Sequence, residues 1–208
     1  MRGIALAVAA LMVSAVPAHA AWQYFACPSD NFATQFPAPP KMETVKFSMP
    51  RHKAALSAHA FTATVDNIVY KLTVADYSDR AGDGASILEE AIFQHTEADD
   101  HGLRNGKIVG NDTARIEPVV RGATYGRRIT MDLPNNGGRN LTTFYFRDGH
   151  LYEQSVDILP ANGDYTTPNG SRFVESLLFN LSRLDEEAGG TTKMIPGCGT
   201  EIKPFTFK

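Results

Sequence analysis

A histidine and a carboxylate four residues apart on one helix can reach the same cation, and His95 and Asp99 have that spacing, with Asp100 and His101 just behind. A solvated helix end explains these residues more simply, because such pairs are common by chance. Arg121, Arg127 and Arg128 form a second charged group. Neighbours in a strand point to opposite faces, so one of Arg127 and Arg128 must project toward a helix layer or the other side of a sheet. They could hold an anion, though charges that guard an edge strand against aggregation are the plainer account. Tyr70, Tyr77, His95 and Arg127 are the ligand candidates: converging between a sheet and its helices, they would line a small-molecule pocket. His52, His59 and His150 have no spacing that suggests a site, and Glu89-Glu90 and Glu186-Glu187 read as solvated faces.

The short motifs with defined mechanics are absent from the sequence: G-x-S-x-G, H-E-x-x-H, a Walker loop, G-x-G-x-x-G and an EF-hand loop. Gly82-Asp83-Gly84 and Gly137-Gly138 are too short to cradle a phosphate and suit turns. No catalytic residue, metal ligand or cofactor is therefore assigned from sequence. The chain has 208 residues, a formal net charge of −3, 43% hydrophobic and 21% charged residues, the balance of a folded globular protein. It lacks the basic field that drives phosphate-backbone binding, so nucleic acid is not an expected partner.

Residues 1–20 carry Arg2, a small and apolar run from Gly3 to Val16, then Pro17 and Ala18-His19-Ala20. This is the pattern of a secretory signal peptide, with cleavage expected after Ala20. The apolar run is shorter than the roughly 20 residues a spanning helix needs, and no other stretch comes close, so an integral membrane protein is not expected. Tyr24-Phe25-Ala26 before Cys27 does not fit a lipobox. Cys27 and Cys198 are the two cysteines, and a bond between them is expected in an oxidising compartment, the alternative being two unpaired thiols. The expected location is outside the cytoplasm, in a bacterial periplasm. N-x-S/T sequons begin at Asn111, Asn140, Asn169 and Asn180 and are given no weight.

These residues need elements to hold them. Asn31–Pro37, Met42–Met49, Leu56–Thr64 and Ile68–Tyr77 read as strands, the last two joined as a hairpin through Val65-Asp66-Asn67. Ile87, Leu88, Ala91 and Ile92 give a helical period from Ala85 to about Glu97, with Asp83 as N-cap and an end near Gly102. Arg115–Val120, Ala123–Leu133, Leu141–Arg147 and Leu151–Leu159 read as further strands, with Asp148-Gly149 as a hairpin turn. Phe173, Leu177 and Leu181 suggest a second helix from Pro168 to about Leu184. The expected fold class is α+β: a single domain over residues 21–186, an antiparallel sheet with two main helices on one face. Residues 187–208 read as a tail pinned through Cys198.

Asn31-Phe32 and Phe36-Pro37, the strand Val69-Tyr70-Lys71-Leu72-Thr73-Val74-Ala75-Asp76-Tyr77, the hairpin Phe144–Tyr152 and Arg172-Phe173-Val174-Glu175-Ser176-Leu177 together resemble the PsbP/Mog1-like α/β/α sandwich proteins. The pattern, over residues 30–182, is also similar to that of small secreted bacterial proteins. The resemblance implies a noncatalytic binding or assembly module: photosynthetic members assist an extrinsic complex, and the nuclear-transport member binds a small GTPase. No binding motif of either is matched, so no functional residue carries over. The expected function is a secreted, noncatalytic module that binds a protein partner or the cell envelope. The competing expectations are a small-ligand-binding protein or hydrolase with its site between sheet and helices, and metal carriage through His95 and Asp99.

Overall fold

The computed structural model describes residues 22–48, 56–97, 105–116, 124–160, 165–179, 181 and 192–199. Alternation of apolar and polar residues builds most of the strands: β1 (Gln23–Cys27), β2 (Phe32–Phe36), β3 (Lys41–Phe47), β4 (Leu56–Val65), β5 (Ile68–Asp76), β6 (Lys107–Ile116), β7 (Thr124–Asp132), β8 (Arg139–Arg147), β9 (His150–Ile158) and the short β10 (Lys193–Met194). The helices are α1 (Gly84–Glu97) and α2 (Pro168–Val174). Strands β3-β4-β5-β9-β8-β7-β6 form one seven-stranded sheet, and β10-β1-β2 a small second one. All pairs of the large sheet are antiparallel. The class is α+β.

Two tight turns fix the central register. Asp66 and Asn67 (φ 51° and 59°) join β4 to β5, and Asp148 and Gly149 (φ 50° and 78°) join β8 to β9, both consecutive left-handed pairs of the kind two-residue hairpins require. A Cβ on Gly149 would also lie 2.8 Å from Ser78 Cα.

The two helices pack on opposite faces of the large sheet, not on one face as the sequence suggested. Ile87 and Ala91 of α1 cover Ala58, Ala75, Ile129, Met131, Phe144 and Leu151. The other face, with Tyr70, Leu72, Val74, Tyr145, Tyr152 and Val156, is covered by Phe25, Phe32 and Phe36 of the small sheet and by Phe173, Val174 and Leu177. The central strands bury side chains on both faces, so both faces need a cover.

Helix α2 is also shorter than its apolar spacing predicts. In a continuing helix the Phe173 carbonyl would accept from Leu177 N–H. Instead the Ser176 hydroxyl (2.7 Å) and Gln154 Nε2 (2.7 Å) both donate to it. The chain then runs extended, and Leu178 exchanges backbone hydrogen bonds with Ala33 at 2.9 and 2.8 Å. Leu177 is buried all the same, so the apolar stripe is core although it is not helix. The expected continuation to Leu184 lies largely outside the described residues. At α1 the helix is entered from a 3-10 segment, Ser78–Asp83, so Asp83 belongs to that segment instead of capping; Gly102 is outside the described residues.

Strand β6 starts at Lys107, eight residues before its expected start at Arg115. The remainder of that expectation, 117–120, is outside the described residues. Strands β1 and β10 were not anticipated. They tie the tail down: Phe25 and Ala26 pair in parallel with Lys193 and Met194, and Ile195 N–H donates to Ala26 O at 3.0 Å. Cys27 and Cys198 lie at disulfide distance, with Cα atoms 5.1 Å apart at a sequence separation of 171.

Candidate functional site

The face of β8 and β9 under the last turn of α1 is polar and closed. Asn140 and Thr142 of β8 and Glu153, Ser155 and Asp157 of β9 point there, because the register pairs Asn140 with Asp157 and Thr142 with Ser155 and strand side chains alternate. His95 of α1 completes the group, its ring edge against Phe144 at 5.2 Å between centroids. Asn140 is the hub and is 1% exposed. Its Nδ2 donates to Asp157 Oδ1 (2.7 Å) and Ser155 Oγ (2.9 Å). That leaves Oδ1 as acceptor for Thr142 Oγ1 (2.9 Å) and His95 Nε2 (3.0 Å).

An ionised Asp157 can only accept, so it fixes the amide orientation, and the amide in turn requires a proton on His95 Nε2. His95 Nδ1 faces Glu153 Oε1 at 3.2 Å. The imidazole is thus held between an amide carbonyl and a carboxylate, tying α1 to β8 and β9. Burial pushes the Asp157 carboxyl above the usual carboxylate range and Glu153 adds to this; the Asn140 hydrogen bond and the His95 and Lys71 charges oppose it. Chemically, the cluster can store a proton and lock a helix. His95 itself is 8% exposed.

The ribbon β6–β7 at the far margin of the sheet is the opposite case. Ile108 (44%), Val109 (45%) and Tyr125 (60%) are exposed, and Ala114 is the one buried residue of β6. On the α1 side Arg127 donates through Nε and Nη2 to Asn111 Oδ1, and the Arg115 guanidinium lies 5.5 Å from the centroid of the Tyr125 ring. On the α2 side Arg128 pairs with Glu175 (2.9 Å) and donates to Thr143 (3.3 Å). Adjacent Arg127 and Arg128 do therefore divide between the two faces. Gly126 is required beneath this ribbon, since a Cβ there would lie 2.1 Å from Phe144 O and 2.5 Å from the Tyr145 ring.

The four ligand candidates do not converge. Tyr70 lies in the α2-side core against Phe173 and Trp22. Tyr77 precedes α1, in the core beneath that helix. His95 sits in the last turn of α1, and Arg127 is on the exposed ribbon. Burial pushes the phenols of Tyr70 and Tyr77 up to about 12, with the nearby Asp66 and Glu90 charges adding to it respectively. Asp99, Asp100, His101 and Arg121 lie outside the described residues. Among the described residues no group of three or more His, Cys, Asp or Glu side chains could hold a metal ion.

Sequence reasoning missed Asn140, Glu153, Ser155 and Asp157. Their alternation with Tyr152, Gln154 and Val156 looks like a wet strand face, and nothing local shows that a helix closes over it. His59, whose spacing suggests no site, holds its Nδ1 2.7 Å from Asp30 Oδ2, and the Tyr152 hydroxyl donates to Asp30 O at 3.0 Å. Asn140 opens one of the sequons, but its side chain is buried and fully engaged. No family model matches the chain, and no curated protein matches it. No helix among the described residues is long and apolar enough to cross a membrane.

Proposed function

We propose that this protein is a secreted, noncatalytic module that binds a protein partner through the margin of its sheet at β6. The observation that carries the reading is the β6–β7 ribbon: a ten-residue marginal strand exposed on both faces, with exposed Ile108 and Val109 within it and exposed Tyr125 beside it on β7. A strand whose outer edge is paired by none of the described residues is a template for another chain. The N-terminal signal pattern and the Cys27–Cys198 pair at disulfide distance support an oxidising compartment outside the cytoplasm, the periplasm in a bacterium. The resemblance to PsbP/Mog1-like modules supports binding over catalysis. The groups best suited to acid–base work, His95, Glu153, Ser155 and Asp157, bond among themselves or to Asn140.

The test is in-cell photocrosslinking from Thr113 on β6, with mass spectrometry of the product. A single stoichiometric protein partner should be captured. Capture should fall with Tyr125→Ser and Val109→Lys and persist in Gln35→Ala, far from the ribbon. Capture indifferent to the ribbon substitutions would sink the reading.

A second reading places a small-ligand or hydrolytic site between the sheet and α1, favoured by the meeting of His95, Glu153, Ser155 and Asp157 there. It requires turnover or ligand retention that Ser155→Ala abolishes in a protein whose unfolding midpoint is little changed.

A further inference from the structure

The α2 side of the sheet holds a run of hydrogen bonds whose protons can all be assigned. Gln154 Nε2 donates to Phe173 O (2.7 Å) and to Thr34 Oγ1 (2.8 Å). A carbonyl oxygen only accepts, so the amide has this one orientation; turned over, it would set Oε1 against the Phe173 oxygen. The Ser176 hydroxyl proton is also committed to Phe173 O, so at the 2.7 Å contact between Thr34 and Ser176 it is Thr34 that donates. The protons therefore point one way, from Gln154 through Thr34 and Ser176 to the Phe173 carbonyl of α2.

A second run starts at the surface and points the same way. Arg128 donates through Nη1 to Glu175 Oε1 (2.9 Å) and through Nε to Thr143 Oγ1 (3.3 Å). Thr143 stands directly opposite Gln154 in the β8–β9 register, on the same face, where paired Cβ atoms lie about 4.5–5.5 Å apart. Both residues are 0% exposed. The Thr143 hydroxyl proton meets no acceptor among the described residues, and Gln154 Oε1 is buried and meets no donor. An unmet buried acceptor is destabilising, and folded proteins satisfy such groups with other protein atoms or with ordered water.

The two runs thus end on paired residues with complementary needs, a proton to give on Thr143 and lone pairs to fill on Gln154, and no hydrogen bond joins the two side chains. Whatever joins them must accept one proton and donate another within a space closed to solvent, which is the chemistry of a single water molecule.

We propose that one internal water bridges Thr143 Oγ1 and Gln154 Oε1, accepting from the threonine and donating to the amide. It makes the two runs one circuit, from Glu175 through Arg128, Thr143, the water, Gln154 and Thr34 to Ser176, which leaves the chain after α2 and returns to it at the next residue. Donors aligned in one direction strengthen one another, so the water helps to fasten β2 and the end of α2 to the sheet. The site is separate from the β6 margin and does not depend on a partner there.

High-resolution crystallography of the unsubstituted protein tests the site directly. An ordered water within about 2.7–3.2 Å of both oxygens is expected. Gln154 Oε1 met by a protein donor, or met by nothing, would overturn the proposal. In solution, oxygen-17 relaxation dispersion counts long-lived internal waters and is blind to exchanging hydroxyl protons. Thr143→Val and Gln154→Leu should each lose one such water, while Thr64→Val, at an exposed position of β4, should lose none. An unchanged count in both variants, or a loss in only one of them, would overturn the bridge. The crystallographic arm decides the matter if either variant fails to fold.

Discussion

Asn140 and Asn111 both face the α1 side of the large sheet, and both lie beside a charged group. Asn140 joins four side chains beneath α1 and is buried; Asn111 accepts from Arg127 at an exposed margin. The same residue type is framework in one place and surface in the other. What separates them is whether a second layer excludes water, because a buried polar group must be satisfied internally and an exposed one can exchange its partner for water or a ligand.

Replacement of both asparagines by leucine breaks the comparison most directly. Asn140→Leu strips partners from His95, Asp157, Ser155 and Thr142 and should lower unfolding free energy by about 3 kcal/mol or more in urea denaturation. Asn111→Leu should stay within about 0.5 kcal/mol of the parent. Equal effects would mean that the network is wet.

The α2 side offers a neutral counterpart to the Asn140 network. Thr34, Ser176 and Gln154 link β2, the segment after α2 and β9 through contacts of 2.7 and 2.8 Å, with no titratable group among them. Ser176→Ala should cost about 1–2 kcal/mol, by the same amount at every pH between 4 and 8.

Asp157→Asn should instead change the pH dependence. Burial raises the Asp157 pKa in the folded state, so the folded chain binds the proton more tightly than the unfolded one. Its contribution is fully present below the unfolded value of about 3.9 and is lost as pH rises through the folded value. The stability of Asp157→Asn relative to the parent should therefore rise from pH 4 to pH 7 in thermal unfolding, and a flat difference would refute the assignment.

The same linkage applies at high pH to Tyr70, Tyr77 and Tyr145, whose phenols burial pushes up to about 12. Stability should fall steeply as pH rises from the unfolded value of about 10 toward 12, with tyrosinate absorbance following unfolding. The smallest effect on stability belongs to Arg127→Glu, within about 0.5 kcal/mol, since its described partner is the exposed Asn111.

Where alternation met a single wet face or a core face, the strands were legible: β3, β4, β5, β7, β8 and β9 fall close to their expected bounds. Strand β6 was cut short because nearly every residue in it is exposed, which leaves no contrast between faces to read. Helix α2 ends before its apolar spacing does because Phe173, Leu177 and Leu181 are spaced as a helix stripe, while Ser176, three residues on, and Gln154, from β9, claim the carbonyl that a helix needs.

The sequence by itself determined the α+β class, the central hairpin turns at Asp66-Asn67 and Asp148-Gly149, the two cysteines as the one candidate pair and the division of Arg127 from Arg128. All of these follow from local periodicity, from turn residues that tolerate positive φ, or from there being only two thiols. Tertiary structure alone decided that the helices cover opposite faces, that His95 meets Asn140 and Glu153, that Tyr70 lies in the core on the other face of the sheet, and that Arg127 bonds to Asn111 on the exposed ribbon. Those outcomes depend on which side of each strand a second layer closes, and strand alternation reports that a residue changes sides without reporting what waits there.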